Sequence, residues 1–197
     1  GWALLLPEFR GPNLESNPRR RQAAGSEIAR QDVFDAIAEV TRKYAVDASK
    51  IFLSGGSGGG MMALLVAGTK PELFRGVSAW CPITDLALWH RENRSYSGHV
   101  EACCGGAPDD FWDEYAMRSP MNLAENLRNV PLSIHHGRND DVVHYSHTLK
   151  FVERLGIENN GDLYFEIFDG EHELRPERAF EWFRNLALKQ NITRLTG

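Results

Sequence analysis

Apolar runs of strand length alternate along the chain with stretches of helical period. Trp2 to Leu6 is apolar at every position and predicts a strand closed by Pro7. Ile28, Phe34, Ile37, Val40 (or Thr41) and Tyr44 then form a helical stripe over residues 27–44, with Ser26 placed to cap it. Ile51 to Ser54 predicts a short buried strand, and Met61 to Ala67 a helix packed against it. Further strands are predicted at Val77 to Trp80, Pro131 to His135 and Leu163 to Phe168. Helices are predicted over about 145–155 and from Pro176 to Leu188, the latter with Pro in its first turn. Strands alternating with helices, and apolar throughout, imply a mostly parallel sheet covered by helices on both faces, an α/β fold. No repeat, linker or low-complexity tract divides residues 1–197, which read as one domain. The stretch from about Asp85 to Met117 breaks the alternation and predicts an insertion over one end of the sheet. In such sheets ligands sit beyond the carboxyl ends of the strands.

Composition narrows the function classes. Twenty-two basic against 27 acidic residues give a net charge of −5, which argues against nucleic acid as a bulk partner. The longest apolar runs are far too short to span a membrane. Three cysteines are an odd number, with Cys103 and Cys104 adjacent and no CxxC pair. A disulfide framework and a zinc site are therefore not expected, and a reduced, cytoplasmic-type compartment is favoured. The chain opens at Gly1-Trp2, inside the first predicted strand, so an incomplete N-terminus is expected.

The strongest chemical signal lies in Gly55-Gly56-Ser57-Gly58-Gly59, which fits G-x-S-x-G between a strand and a helix. That turn projects a serine Oγ from the sheet, and glycines two residues away let strand and helix pass closely. The Gly58 N–H at the helix start then faces a developing oxyanion. Two readings compete. Gly58, Gly60 and Ala63 match G-x-G-x-x-A with Asp85 about 20 residues on, the fingerprint of a nucleotide-binding oxidoreductase. A plain flexible turn is the other.

A serine nucleophile needs a base and an orienting acid, and this turn goes with the order Ser, then Asp or Glu, then His. Asp140 and Asp141 follow the strand ending at His135, and His172 follows the strand ending at Phe168. Three correctly ordered placements at strand ends carry far more weight than one. Of the seven histidines, His135 and His136 are expected to be structural and partly buried. His90, His99, His144 and His147 are expected at the surface. His172, on a short loop, is the expected base, titrating at roughly 6–7. Trp89, Tyr96, Phe111 and Trp112 of the insertion are the candidate substrate wall, with ordinary packing as the alternative.

These residues resemble the prolyl-oligopeptidase-like serine hydrolases of the α/β-hydrolase superfamily. The resemblance rests on Val46-Asp47 to Ile51 followed by the serine turn, on Pro82-Ile-Thr-Asp85 and on Arg118-Ser119-Pro120. His136-Gly137-x-x-Asp140-x-x-Val143 and Gly170-Glu-His172 complete it. It implies an α/β-hydrolase fold with Ser57 as nucleophile, Asp140 rather than Asp141 as the acid, His172 as the base and Gly58 as an oxyanion donor. No metal or cofactor is implied. Leu6 to Gly11 is similar to the family's strand ending in Arg-Gly. The earlier strands, and the His-Gly-rich loop carrying a second oxyanion donor, would lie upstream of it. No propeller domain of the peptidases is expected within residues 1–197, and Gly58 stands where peptidase members commonly have Tyr. The substrate implied is a peptide or a small ester, with small activated esters expected to be the faster. A carboxylesterase without peptidase activity and a non-catalytic interaction module are the remaining alternatives. The empty place beside the Ile51–Ser54 strand is expected to leave a sheet edge through which copies associate.

Overall fold

Four parallel strands set the positions of everything else: β1 (Phe52–Gly56), β2 (Gly76–Trp80), β3 (Leu132–Gly137) and β4 (Leu163–Phe168), side by side in that order. A computed structural model describes residues 1–156 and 162–193. Gly56 pairs with Trp80, Trp80 with His135, and Gly137 with Phe168, so the carboxyl ends of all four strands finish along one rim.

Alternation along β2 shows that both faces are covered. A side chain at Gly76 would meet Leu186 and Trp182 of α8 (Pro176–Thr193), whereas Val77, pointing the other way, is wholly buried in the main core. That core joins α1 (Glu27–Lys43), α2 (Gly58–Thr69), α6 (Ala124–Leu127) and α7 (Ser146–Leu155) to the sheet. Helix α2 is buried from Gly60 to Gly68, consistent with its apolar character all round. Ser26 caps α1 as expected, its Oγ accepting from the Ala29 N–H at 3.2 Å. The apolar buried face of α1 is Ala29, Val33, Phe34 and the partly buried Ile37, spaced at i, i+3 and i, i+4. Ile28 and Tyr44 fall off that face and are exposed, contrary to the expected stripe.

The expected insertion forms α3 (Leu86–Glu92), α4 (Arg94–Cys104) and α5 (Trp112–Met117). They close a second core with Met61 and Leu65 of α2, Ile83 and Val143. Two histidines expected at the surface, His90 on α3 and His147 on α7, are buried against these helices. His90 bonds Glu101 at 2.8 Å, and His147 bonds Glu92 at 3.0 Å. Each imidazole enters the interior because a neighbouring carboxylate reaches in to meet it.

Trp2 to Leu6 is not a strand. Its side chains are exposed, Leu6 by 81%, and the Trp2 ring lies 5.5 Å from that of Phe52 in β1. An apolar run forms a strand only where a neighbour supplies ladder hydrogen bonds, and this segment has none. For the same reason β1 is a half-exposed edge strand, not the buried one expected. Among the described residues no helix is long and apolar enough to cross a membrane. All three cysteines are free and buried.

Candidate active site

Ser57 occupies the turn between β1 and α2 with φ 56° and ψ −125°, a conformation that costs a non-glycine residue about 1–3 kcal/mol. Its N–H donates to the Trp80 carbonyl at 2.8 Å, tying the turn to the end of β2. Its side chain does not cap α2, so Oγ is not committed there. The first N–H groups of α2, Gly58 foremost, are the unpaired donors of a helix start. The glycine requirement differs from the motif's. A β-carbon at Gly55 would collide with the Gly59 carbonyl, and one at Gly60 would stand 3.2 Å from Gly55 O and Trp80 O. At Gly59 it would meet nothing within 4 Å. Strand and helix therefore cross at Gly55 and Gly60, while Gly59 turns its α-carbon outward.

The loops after β3 and β4 meet at the next positions along the rim. A β-carbon on Gly137 would strike the Glu171 carbonyl, so this glycine lets the second loop close onto the first. The Arg138 and Asn139 N–H groups then donate to Phe168 O and Gly170 O, both at 2.9 Å. This brings His172 Nδ1 to 2.7 Å from Asp140 Oδ2. Asp140 is buried and fully hydrogen-bonded. Its Oδ1 accepts from the Val142 and Val143 N–H groups at 2.9 and 2.8 Å, and His136 Nε2 lies 3.2 Å from Oδ2. Burial pushes its pKa up, but the bonds from His136, His172 and the Val143 N–H outweigh this and hold the carboxyl well below the usual carboxylate range. The His172 imidazole is raised to about 9, first by the Asp140 hydrogen bond and then by the Cys81 sulfur, against a smaller opposing effect of burial. That is above the 6–7 expected from the sequence, because an unperturbed imidazole has neither neighbour.

His136 has no exposure. Its Nε2 donates to Val143 O at 2.7 Å and its Nδ1 meets Thr148 Oγ1 at 2.6 Å, so it braces the loop that carries Asp140. His135 stacks on Trp80 at 3.8 Å, and burial lowers its pKa to about 4, leaving it neutral. Asp141 is exposed and outside the cluster.

Ser57 shares this neighbourhood. Leu174, two residues past His172, would touch a β-carbon on Gly56 at 3.4 Å, and Cys81 follows the Trp80 that receives the Ser57 N–H. Cys81, not singled out in the sequence, sits at φ 43° with its thiol 3.6 Å from the Glu173 carbonyl. It lies directly after β2, next to the serine's strand, but no sequence signal marks it out. Cys81, His136 and Asp140 bring ligand atoms within 4.8 Å of one another, though His136 and Asp140 are already held by the hydrogen bonds above. Of the candidate wall, Trp89 is buried, its indole N–H donating to Val142 O at 2.9 Å. It packs the insertion onto the Asp140 loop and is not free to line a cleft. Tyr96, 40% exposed, lies on Trp89 at 5.3 Å. Trp112, 55% exposed, and Phe111 project from a separate surface with Asp109 and Asp110. Asp85 caps α3, accepting from the Leu88 N–H at 2.9 Å, and is thereby occupied.

The profile of the prolyl oligopeptidase family matches residues 20–187. The chain belongs to the prolyl oligopeptidase family. An uncharacterized peptidase, YtmA, of Bacillus subtilis is 24% identical over 79% of this chain and 58% of its own length. Acylamino-acid-releasing enzyme 1 of Oryza sativa is 25% identical over 95% of this chain and 26% of its own. Among solved structures, an acylaminoacyl peptidase of Pyrococcus horikoshii superposes with a TM-score of 0.69 at 22% identity. It is matched over 79% of this chain and 25% of the other. A puromycin-hydrolyzing peptidase of Mycobacterium tuberculosis gives 0.68 at 23% identity, over 85% and 26%. These likenesses establish the α/β-hydrolase fold. The chain spans about three fifths of the first relative and about a quarter of the others. Family membership displaces the oxidoreductase reading of Gly58, Gly60 and Ala63.

Proposed function

We propose that this member of the prolyl oligopeptidase family is a serine hydrolase that cleaves peptide or ester bonds through an acyl-enzyme. The observation that carries the reading is the 2.7 Å bond from His172 to the buried Asp140, on the rim where the Ser57 turn projects. Ser57 Oγ attacks the substrate carbonyl as His172 Nε2 takes its proton, and Asp140 holds Nδ1–H and stabilises the imidazolium. The tetrahedral oxyanion accepts from the Gly58 N–H. Collapse expels the amine or alcohol, protonated by His172, and leaves an ester on Ser57. Water, deprotonated by the same imidazole, attacks that ester and frees the acid. Tyr96 is the insertion aromatic best placed to meet substrate, since it lies on the Trp89 that packs against the Asp140 loop.

Turnover of a short-chain nitrophenyl ester and of a peptide anilide tests this. Wild type is expected to hydrolyse both, and Ser57→Ala to lose about 10⁴-fold or more on each. A Ser57→Ala protein with unchanged turnover contradicts the reading.

A further inference from the structure

We propose that the side-chain amide of Asn13 donates a hydrogen bond to the oxyanion beside the one from the Gly58 N–H. The inference rests on the acyl-enzyme reading above and names a residue for that same site. A β-carbon on Gly58 would stand 3.2 Å from Asn13 Nδ2. A β-carbon position lies about 2.5 Å from its own backbone nitrogen, so Asn13 Nδ2 and the Gly58 nitrogen are at most about 5.7 Å apart. One oxygen accepting about 2.9 Å from each spans that gap. Having no side chain, Gly58 leaves the approach open, and Gly11, Pro12, Asn13, Gly58 and Gly59 line a cleft on this side.

The direction of the amide is fixed. Asn13 Oδ1 accepts from the Ala24 N–H at 2.7 Å, and the reversed amide would set an NH₂ group against that donor. Nδ2 therefore faces Gly58, and among the described residues it donates to no protein acceptor. The supports on either side are themselves anchored. Buried Asn17 donates to the carbonyls of Arg10 and Pro12, both at 2.8 Å. Arg10 forks onto Asp32 of α1 at 2.6 and 2.7 Å. The buried Arg118 guanidinium donates to the carbonyls of Ala23 at 2.5 Å and Ala24 at 3.4 Å, holding Ala24 at φ 50°. Donors so preorganised are what a developing oxyanion rewards.

The test compares Asn13→Ala and Asn13→Asp with wild type and Ser57→Ala, in ester turnover and in inhibition by a trifluoromethyl ketone. Asn13→Asp keeps the acceptor for the Ala24 N–H, and so the loop, while removing the donor. Both Asn13 variants are expected to lose about 10²–10³-fold in kcat with KM within about threefold, and to bind the ketone more weakly by a similar factor. If Ser57→Ala is inactive but either folded Asn13 variant keeps wild-type kcat, or loses only in KM, the assignment of Asn13 is overturned and the acyl-enzyme reading stands. If Ser57→Ala itself stays active, both fall.

Discussion

At the scale of single residues, the pairing of His172 with Asp140 controls protonation. In the proposed reaction His172 must be neutral to act as a base, so activity is expected to fall as pH drops through its pKa. With that pKa raised to about 9, the acid limb of kcat/KM is expected well above the ordinary imidazole range. Asp140→Asn removes the main cause, so the limb should move to lower pH while the plateau falls by about 10⁴-fold. A limb that stays in place after this substitution contradicts the pairing. The same shift bears on stability. A histidine pKa raised on folding stabilises fully below about 6.5, its unfolded value, and that contribution is lost as pH rises through about 9. Melting temperature should decline across this window in wild type and be flatter in His172→Gln. The placement of Ser57, Asp140 and His172 on turns beyond strand ends was legible, because each follows an apolar run of strand length. Trp89 was not, since an aromatic ring in an insertion reads the same whether it walls a cleft or pins two segments together. Nor was Cys81, because no spacing rule says which side chain beyond β2 faces the imidazole.

At the scale of elements, the crossing of β1 and α2 sorts the glycines by need. Gly55→Ala forces a β-carbon into the Gly59 carbonyl, and separating the two elements should cost about 3 kcal/mol or more. Gly59→Ala meets open space within a helix and should be neutral or stabilising by up to about 1 kcal/mol. Thermal melts of the two variants decide this, and equal destabilisation would contradict the geometry. Strands β2 to β4 and helices α1, α2, α7 and α8 were readable from periodicity, because each has a packed face. Trp2–Leu6 misled for the opposite reason: its apolar pattern was sound, but the ladder that makes a strand comes from a neighbour, which composition cannot reveal. His90 and His147 were misplaced because the carboxylates that accompany them inward lie 11 and 55 positions away.

At the scale of the molecule, β1 presents an open edge beside the exposed apolar run of Trp2, Leu4 and Leu6. The 197-residue chain is expected to associate in a concentration-dependent way through this edge. Light scattering that gave a monomer at all concentrations would contradict that. The rim opposite the strands' amino ends collects the Ser57 turn, the Asp140 loop and the His172 loop, and a catalytic role for that rim can be read from one covalent event. A fluorophosphonate should phosphonylate Ser57, identified by mass spectrometry of the modified peptide, with labelling abolished in Ser57→Ala and slowed in His172→Ala. Modification mapped to another serine, or labelling undiminished in Ser57→Ala, would show that the rim is not the site of chemistry.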